Sequence, residues 1–177
     1  MPRQPQHGFT LIESMVCLAI VGGVISWAVP SFRAIALNAA RAREVNQLLQ
    51  AIYYARSEAI KRNAVVSLCP TTDGSNCTVA DDWHTGWLVF VNLDHDSPAA
   101  RDAGEELLRV YEPWPQGRIT SNRTTLSFRA FGQSGVTATI AFCDDRGSDA
   151  ARAVIISQTG RPRLTDRNSS GGAIVCS

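Results

Sequence analysis

From Phe9 to Val29 the chain carries one charged residue, Glu13, and the run stops at Pro30. At 1.5 Å rise per residue it measures roughly 30 Å as a helix, the thickness of a bilayer's hydrocarbon core. It can span a membrane, and the rest of the chain must be arranged around that segment. Two details do not suit a plain anchor: a carboxylate four residues inside the apolar run, and Gly8 just before it. A carboxylate in hydrocarbon is costly enough to mark function and to require a partner. If the leader were cut after Gly8, Phe9 would carry a new amino group that Glu13 could neutralise, on its own chain or on a neighbour. A secretory signal would instead be cut after the apolar run, at a small-residue site. Here Trp27-Ala28-Val29-Pro30 leads into a long helical pattern.

Gly8-Phe9-Thr10-Leu11-Ile12-Glu13, with the apolar run behind it, resembles the class III signal of type IV pilins and pseudopilins. The resemblance implies cleavage after Gly8 and N-methylation of Phe9 by a prepilin peptidase, with Glu13 guiding assembly among other major and minor pilins. It also implies a single-pass protein of the inner membrane, its head in the periplasm, exposed on the pilus after assembly.

The near-neutral net charge of +1 conceals segregation. Residues 1–62 hold seven basic and three acidic side chains, 63–117 two and nine, and 118–177 eight and four. A polyanion should therefore meet the C-terminal third. Cys17 lies in the apolar run as a small hydrophobe. Cys69, Cys77, Cys143 and Cys176 lie beyond it, in a part the resemblance places where disulfides persist. Four cysteines allow three pairings and the sequence does not choose among them. Cys69 with Cys77, closing a small loop, and Cys143 with Cys176, fixing the last strand, is the favoured set. No C-x-x-C spacing is present and only His84 and His95 follow the leader, so no zinc site is expected.

Beyond Pro30, which should bend or break the helix, the apolar residues Val45, Leu48, Leu49, Ile52, Ala55, Ala59 and Ile60 recur at three and four. Arg43, Glu44, Gln47, Gln50 and Lys61 lie elsewhere on the turn. Glu58 and Arg62 can pair at i, i+4, and Asn63 suits the helix end. The period then changes to two. Strands are expected at Val65 to Cys69, Trp87 to Asn92, Leu107 to Tyr111, Thr125 to Arg129, Val136 to Phe142, Ala153 to Ser157 and Ala173 to Cys176. The Trp87 strand is apolar throughout and should be covered on both faces, while the alternation from Val136 to Phe142 suggests one buried face. The expected organisation is a leader at 1–8, a transmembrane helix at 9–29, an amphipathic helix at 30–63 and a β-rich head at 64–177. The fold class is α+β, a long N-terminal helix packed on an antiparallel sheet.

Gly86-Trp87-Leu88-Val89-Phe90-Val91-Asn92, an acidic loop ending in Glu105-Glu106-Leu107, Phe131-Gly132-Gln133-Ser134-Gly135 and Thr159-Gly160-Arg161-Pro162-Arg163 together resemble the GspH and FimT pilin family. Gly-Arg-Pro-Arg is similar to the DNA-contacting motif of FimT-type minor pilins, which serve DNA uptake in natural transformation. That resemblance makes Arg161 and Arg163 the expected contacts. Gly160 allows a tight turn, Pro162 stiffens the link, and residues two apart in an extended segment share a side. Arg167, Arg152 and Arg146 are candidates to extend the patch, which would grip phosphates without reading sequence. A solvated hairpin turn is the plain alternative. A structural FimU-like minor pilin, or a GspH-type pseudopilin of type II secretion, would need none of these arginines.

Asp94, Asp96, Asp102, Glu105 and Glu106 crowd one loop and could hold calcium, but they lack EF-hand spacing. With no G-x-S-x-G elbow and no P-loop, neither an enzyme nor a cofactor is expected.

Overall fold

Among the described residues a long helix, α1 (Leu11–Arg62), precedes all the strands. The structure, a computed structural model, describes residues 8–79, 81–131 and 137–176. Thr10 starts α1: its hydroxyl accepts from the Glu13 N–H at 3.3 Å, and its carbonyl accepts from the Ser14 N–H at 3.1 Å. This is the Thr-x-x-Glu spacing of a capping box, and it sets Glu13 in the first turn, where the helix dipole favours an acid. At the other end Asn63 adopts φ 52°, its N–H bonds the Ile60 carbonyl, and the Ala64 N–H bonds the Ala59 carbonyl. That pair of bonds is a Schellman closure, and Asn63 occupies the left-handed position as its residue type allows.

Of the bend or local break expected at Pro30, the break is absent: α1 runs through it. Proline forfeits one hydrogen bond, and the turns on either side are retained.

The chain forms two compact units, Met1–Ala39 and Ala40–Ser177. In the first, the apolar side chains of Phe9, Leu11, Ile12, Val16, Leu18, Ile20, Val24 and Val29 are exposed, and the helix is long and apolar enough to cross a membrane.

Among its described residues the second unit holds eight strands: β1 (Val65–Pro70), β2 (Trp87–Asn92), β3 (Leu107–Tyr111), β4 (Arg118–Ser121), β5 (Leu126–Phe128), β6 (Ala138–Cys143), β7 (Arg152–Ile156) and β8 (Pro162–Thr165). They form two antiparallel four-stranded sheets, β3-β2-β1-β5 and β4-β6-β7-β8, where the sequence suggested a single sheet. Val45, Leu48, Ala51, Ile52, Ala55 and Ala59 of α1 share one core with both sheets. From the first come Val66, Leu68, Trp87, Val89, Leu126 and Phe128; from the second come Ile119, Ile140, Phe142, Val154 and Ile156. Each large side chain so buried contributes about 1.5–3 kcal/mol. Ile60, expected in the stripe, is 56% exposed, whereas Glu44, expected outside it, is 5% exposed.

Two short strands escape a search for apolar alternation. β4 follows the Pro113–Gly117 stretch with a single buried apolar residue, Ile119, and β8 begins at a proline. Proline is tolerated there because β8 is the outer strand of its sheet. Conversely, the expected strand at Ala173 to Cys176 is not one. Ala173 makes an isolated bridge to Arg167, and Ile174 and Cys176 then pack on Ala141, Cys143, Ala151 and Ala153. This C-terminal strap covers the outer side of β6 and β7, so β6 is buried on both faces at most positions, contrary to the alternation. Val136 and the turn at 132–135 lie outside the described residues. β2 is buried at all six positions, as its apolar run implied.

The first sheet is covered in the same manner. Cys69, Leu88, Phe90 and Ala99 form a small outer cluster with Cys77 and Leu107. A disulfide staples each cover: Cys69–Cys77 spans 8 residues with Cα atoms 5.5 Å apart, and Cys143–Cys176 spans 33 with Cα atoms 5.9 Å apart. Loop-closure entropy makes the longer link worth about 4 kcal/mol and the shorter about 2.5 kcal/mol. Denaturant unfolding of the full chain in detergent should therefore show a larger loss for Cys143→Ser with Cys176→Ser than for Cys69→Ser with Cys77→Ser. Equal losses would show that the C-terminal strap holds without its covalent link.

Candidate functional site

The Gly160–Arg163 stretch closes the β7–β8 hairpin. The Gly160 N–H donates to the Ser157 carbonyl at 2.8 Å, and the Ser157 N–H donates to the Arg161 carbonyl at 3.2 Å. Gly160 is buried with φ 71°, in the left-handed conformation that a three-residue hairpin loop requires at its last position. The glycine is thus explained by the turn alone. Arg161 and Arg163 are both exposed, and Arg163 sits opposite Ile155 in the ladder. Two residues apart across an extended backbone, they present to one side of the sheet, roughly 6.6 Å apart. Among the described residues neither guanidinium has a hydrogen-bond or ion-pair partner. The hairpin tip has a cationic neighbour that sequence separation hid: Arg56 of α1, whose Nη2 donates to the Thr159 carbonyl at 3.5 Å.

The other candidate arginines do not join them. Arg152 has the strand parity of Val154 and Ile156, so it lies on the core side of β7, opposite in face to Arg163, and its Nη1 donates to the Ala151 carbonyl at 2.8 Å. Arg167 is exposed two residues beyond β8, but its Nη1 donates to the Gly171 carbonyl at 3.1 Å and closes a turn. Arg146 is held by Asp144, with Nε at 2.9 Å and Nη2 at 2.6 Å from its two oxygens. Asp144 is itself buried and also receives Nη1 of Arg41, 3.4 Å away, while Arg41 donates to the Ala150 carbonyl. This cluster clasps α1 to the β6–β7 connection. Burial lowers the Arg41 pKa below its ordinary value, with Asp144 opposing the shift. At the other end of the head, Arg62 bridges Glu58 and Glu106, each at 2.6 Å. Glu44 is a further buried acid; its carboxyl is pushed up by burial, with Arg43 pulling it down.

The acidic loop uses its carboxylates on itself. Glu105 accepts from the Leu93 N–H at 2.6 Å and the Asp102 N–H at 3.0 Å; Asp96 accepts from Asn92 Nδ2 at 2.9 Å and the Ala100 N–H at 2.8 Å. These bonds fold the loop over β2, and among the described residues no three His, Cys, Asp or Glu side chains gather as a metal site.

At the N-terminus, Gly8 and Phe9 are exposed immediately before the cap at Thr10. Glu13 is one helical turn away from the amine that cleavage after Gly8 would create, a spacing at which the two can meet.

The profile described as type II transport protein GspH matches residues 44–160, and the prokaryotic N-terminal methylation motif matches residues 3–26. The chain is 30% identical over 171 residues to the pilin-like protein PilA1 of Thermus thermophilus, covering 90% of this chain and 98% of that one. It is also similar to crystal structures of the type IV minor pilin FimU of Pseudomonas aeruginosa in two space groups, each with a TM-score of 0.52 and 26% identity. These cover 76% of this chain and 94% and 90% of FimU. These comparisons support a type IV pilin or pseudopilin assignment, coarser than the FimT type, and do not bear on the Gly-Arg-Pro-Arg motif.

The Asp144 cluster has a pH signature. Hydrogen bonds from Arg146, against the cost of burial, hold the Asp144 carboxyl below its ordinary value. A carboxyl with a lower pKa folded than unfolded stabilises the fold above its unfolded value, near 3.9, and the contribution is lost as pH falls through the folded value. Asp144→Asn should cost roughly 3 kcal/mol at pH 7 by leaving Arg41 buried without its counter-charge. The same variant should lose less stability than the parent on going from pH 5 to pH 2, measured by denaturant unfolding.

Proposed function

The chain belongs to the GspH family of type IV pilin-like proteins, and on that premise we propose that it is a minor subunit of a type IV filament with a structural role in assembly. The observation that carries this reading is the exposed apolar segment of α1, with Glu13 in its first turn directly behind the Gly8–Phe9 junction. Before assembly, the segment lies in the inner membrane with the head outside the cytoplasm. A prepilin peptidase cuts after Gly8 and methylates Phe9. In the filament the apolar segments of neighbouring pilins replace lipid, and Glu13 meets the amine of a neighbouring Phe9, an ion pair much stronger in that apolar setting than in water. FimU-like support of a pilus and a GspH-type place in a secretion pseudopilus use this same chemistry. Glu13→Val should still be processed to the methylated Phe9 form, read by intact mass, yet disappear from the sheared filament fraction. Undiminished incorporation of Glu13→Val would overturn the assembly role of the acid.

A second reading is DNA capture for natural transformation, and one observation favours it. Arg161 and Arg163 are exposed on the same face of the β7–β8 hairpin without partners among the described residues. Guanidinium forks there suit backbone phosphates, and such contacts are sequence-independent and salt-sensitive. Arg161→Gln with Arg163→Gln should weaken the low-salt gel shift of duplex DNA by the full chain and reduce the slope of its log–log salt dependence by about two. A shift left unchanged by both substitutions would remove the DNA reading and leave the filament role intact.

A further inference from the structure

The covers over the outer face of the first sheet stop short of β5. A half-open groove of about 650 Å3 lies there, within the size range of small-ligand sites. Leu126 and Phe128 are buried in the core, so Ser127 between them faces outward, and Thr125 and Arg129 share its side. The turn at 95–98 and residues 123–124 and 129–131 line the remainder.

Three properties of this lining bear on what it holds. The first is charge. The charged lining residues other than histidine are Arg123, Arg129 and Asp96, and both Asp96 oxygens are already engaged by Asn92 Nδ2 and the Ala100 N–H. Among the described residues Arg123 uses its Nε alone, on the Thr137 carbonyl at 3.3 Å, and Arg129 has no partner. Two guanidiniums therefore offer donor forks to an anion. The second is a set of small polar groups: Asn63, Ser97, Thr124 and Ser127, the last with its hydroxyl 2.8 Å from that of Ser67, and His95 beside them in a left-handed backbone conformation, φ 62°. Non-glycine residues seldom hold that conformation, and it tends to persist where a site needs it. The third is an apolar surface made by Ala64, Pro98 and Phe131, the ring of Phe131 being 90% exposed.

An inorganic anion would use the arginines and leave the apolar surface wet. A purely apolar ligand would strand two charges. A sugar ring bearing a carboxylate satisfies all three properties: the carboxylate takes the guanidiniums, the hydroxyls take the small polar groups, and the C–H face takes the Phe131 ring. We propose that this groove binds a uronic acid unit of an acidic polysaccharide, a function independent of both the filament contacts and the β7–β8 hairpin.

The test is calorimetric titration of the full chain in detergent micelles with trigalacturonate, neutral maltotriose and single-stranded tetrathymidylate. Trigalacturonate should bind saturably, and maltotriose about tenfold more weakly or not at all, because a charge-assisted pair is worth at least about 1.4 kcal/mol. Arg123→Gln with Arg129→Gln should weaken trigalacturonate by about tenfold or more. Phe131→Ala should weaken it severalfold, and Arg161→Gln with Arg163→Gln should leave it unchanged. Arg129→Gln alone, at an exposed side chain without partners among the described residues, gives the same reading should the double variant not fold. Failure of trigalacturonate to saturate the parent chain overturns the proposal, as does an Arg129→Gln chain of parental affinity. Preference for tetrathymidylate over trigalacturonate assigns the groove to single-stranded nucleic acid and overturns it equally.

Discussion

The head depends on the stripe of α1 from Val45 to Ala59. Both sheets close on it, and no smaller unit would give either of them a core: the first is four strands of three to six residues, the second four strands of four to six. Isolated sheets of that size are marginal in water. The small side chains Ala51, Ala55 and Ala59 are what allow strands from two sheets to approach one helix closely. Arginine clasps fix the stripe at both ends, Arg41 on Asp144 and Arg62 on Glu58 and Glu106. The first is buried and the second largely at the surface. Burial removes solvent screening, so the first is the more demanding and the more consequential of the two.

Outside that core, each sheet carries a second and thinner apolar layer under a loop. Cys69–Cys77 staples one cover and Cys143–Cys176 the other. A loop has little apolar area with which to offset its ordering entropy, and a covalent link suits that deficit. The same architecture divides the arginines of the C-terminal third into those that build and those that remain available. Arg146, Arg152 and Arg167 each hold a carboxylate or carbonyl of the fold, while Arg161, Arg163 and Arg129 hold none among the described residues. A basic segment of sequence therefore becomes two separate small cationic features, at the β7–β8 hairpin and beside β5.

Much of this was legible before any coordinates. The spanning run, the acid at Glu13, the i, i+3, i+4 stripe, the Glu58–Arg62 pair, the Asn63 stop and the buried β2 are all local patterns whose spacing carries the physics. The failures share a cause. β4 and β8 are short and border proline or glycine, so they lack alternation and are held by their neighbours. Ala173 to Cys176 reads as a strand because its apolar residues face a sheet, yet they pack on the outer face of that sheet without joining its edge. Glu44 looked like a surface residue because charge usually is, and its burial follows from residues far along the chain.

What the sequence determined by itself is delivery and class: an apolar helix long enough for a membrane, a Gly8–Phe9 junction with an acid one turn away, and an α+β head behind it. Those depend on contacts within a few residues, where spacing alone decides who meets whom. The tertiary structure alone decided that the strands form two sheets, which arginines are spent on Asp144 and backbone carbonyls, and that Arg123, Arg129 and Phe131 border one groove with the turn at 95–98. The two sheets, the Arg41 contacts with Asp144 and Ala150, and the groove each join residues separated by tens of positions, and only the closure of both sheets on α1 brings them within reach, whereas the bonds of Arg146, Arg152 and Arg167 are local ones that side-chain rotamers decide.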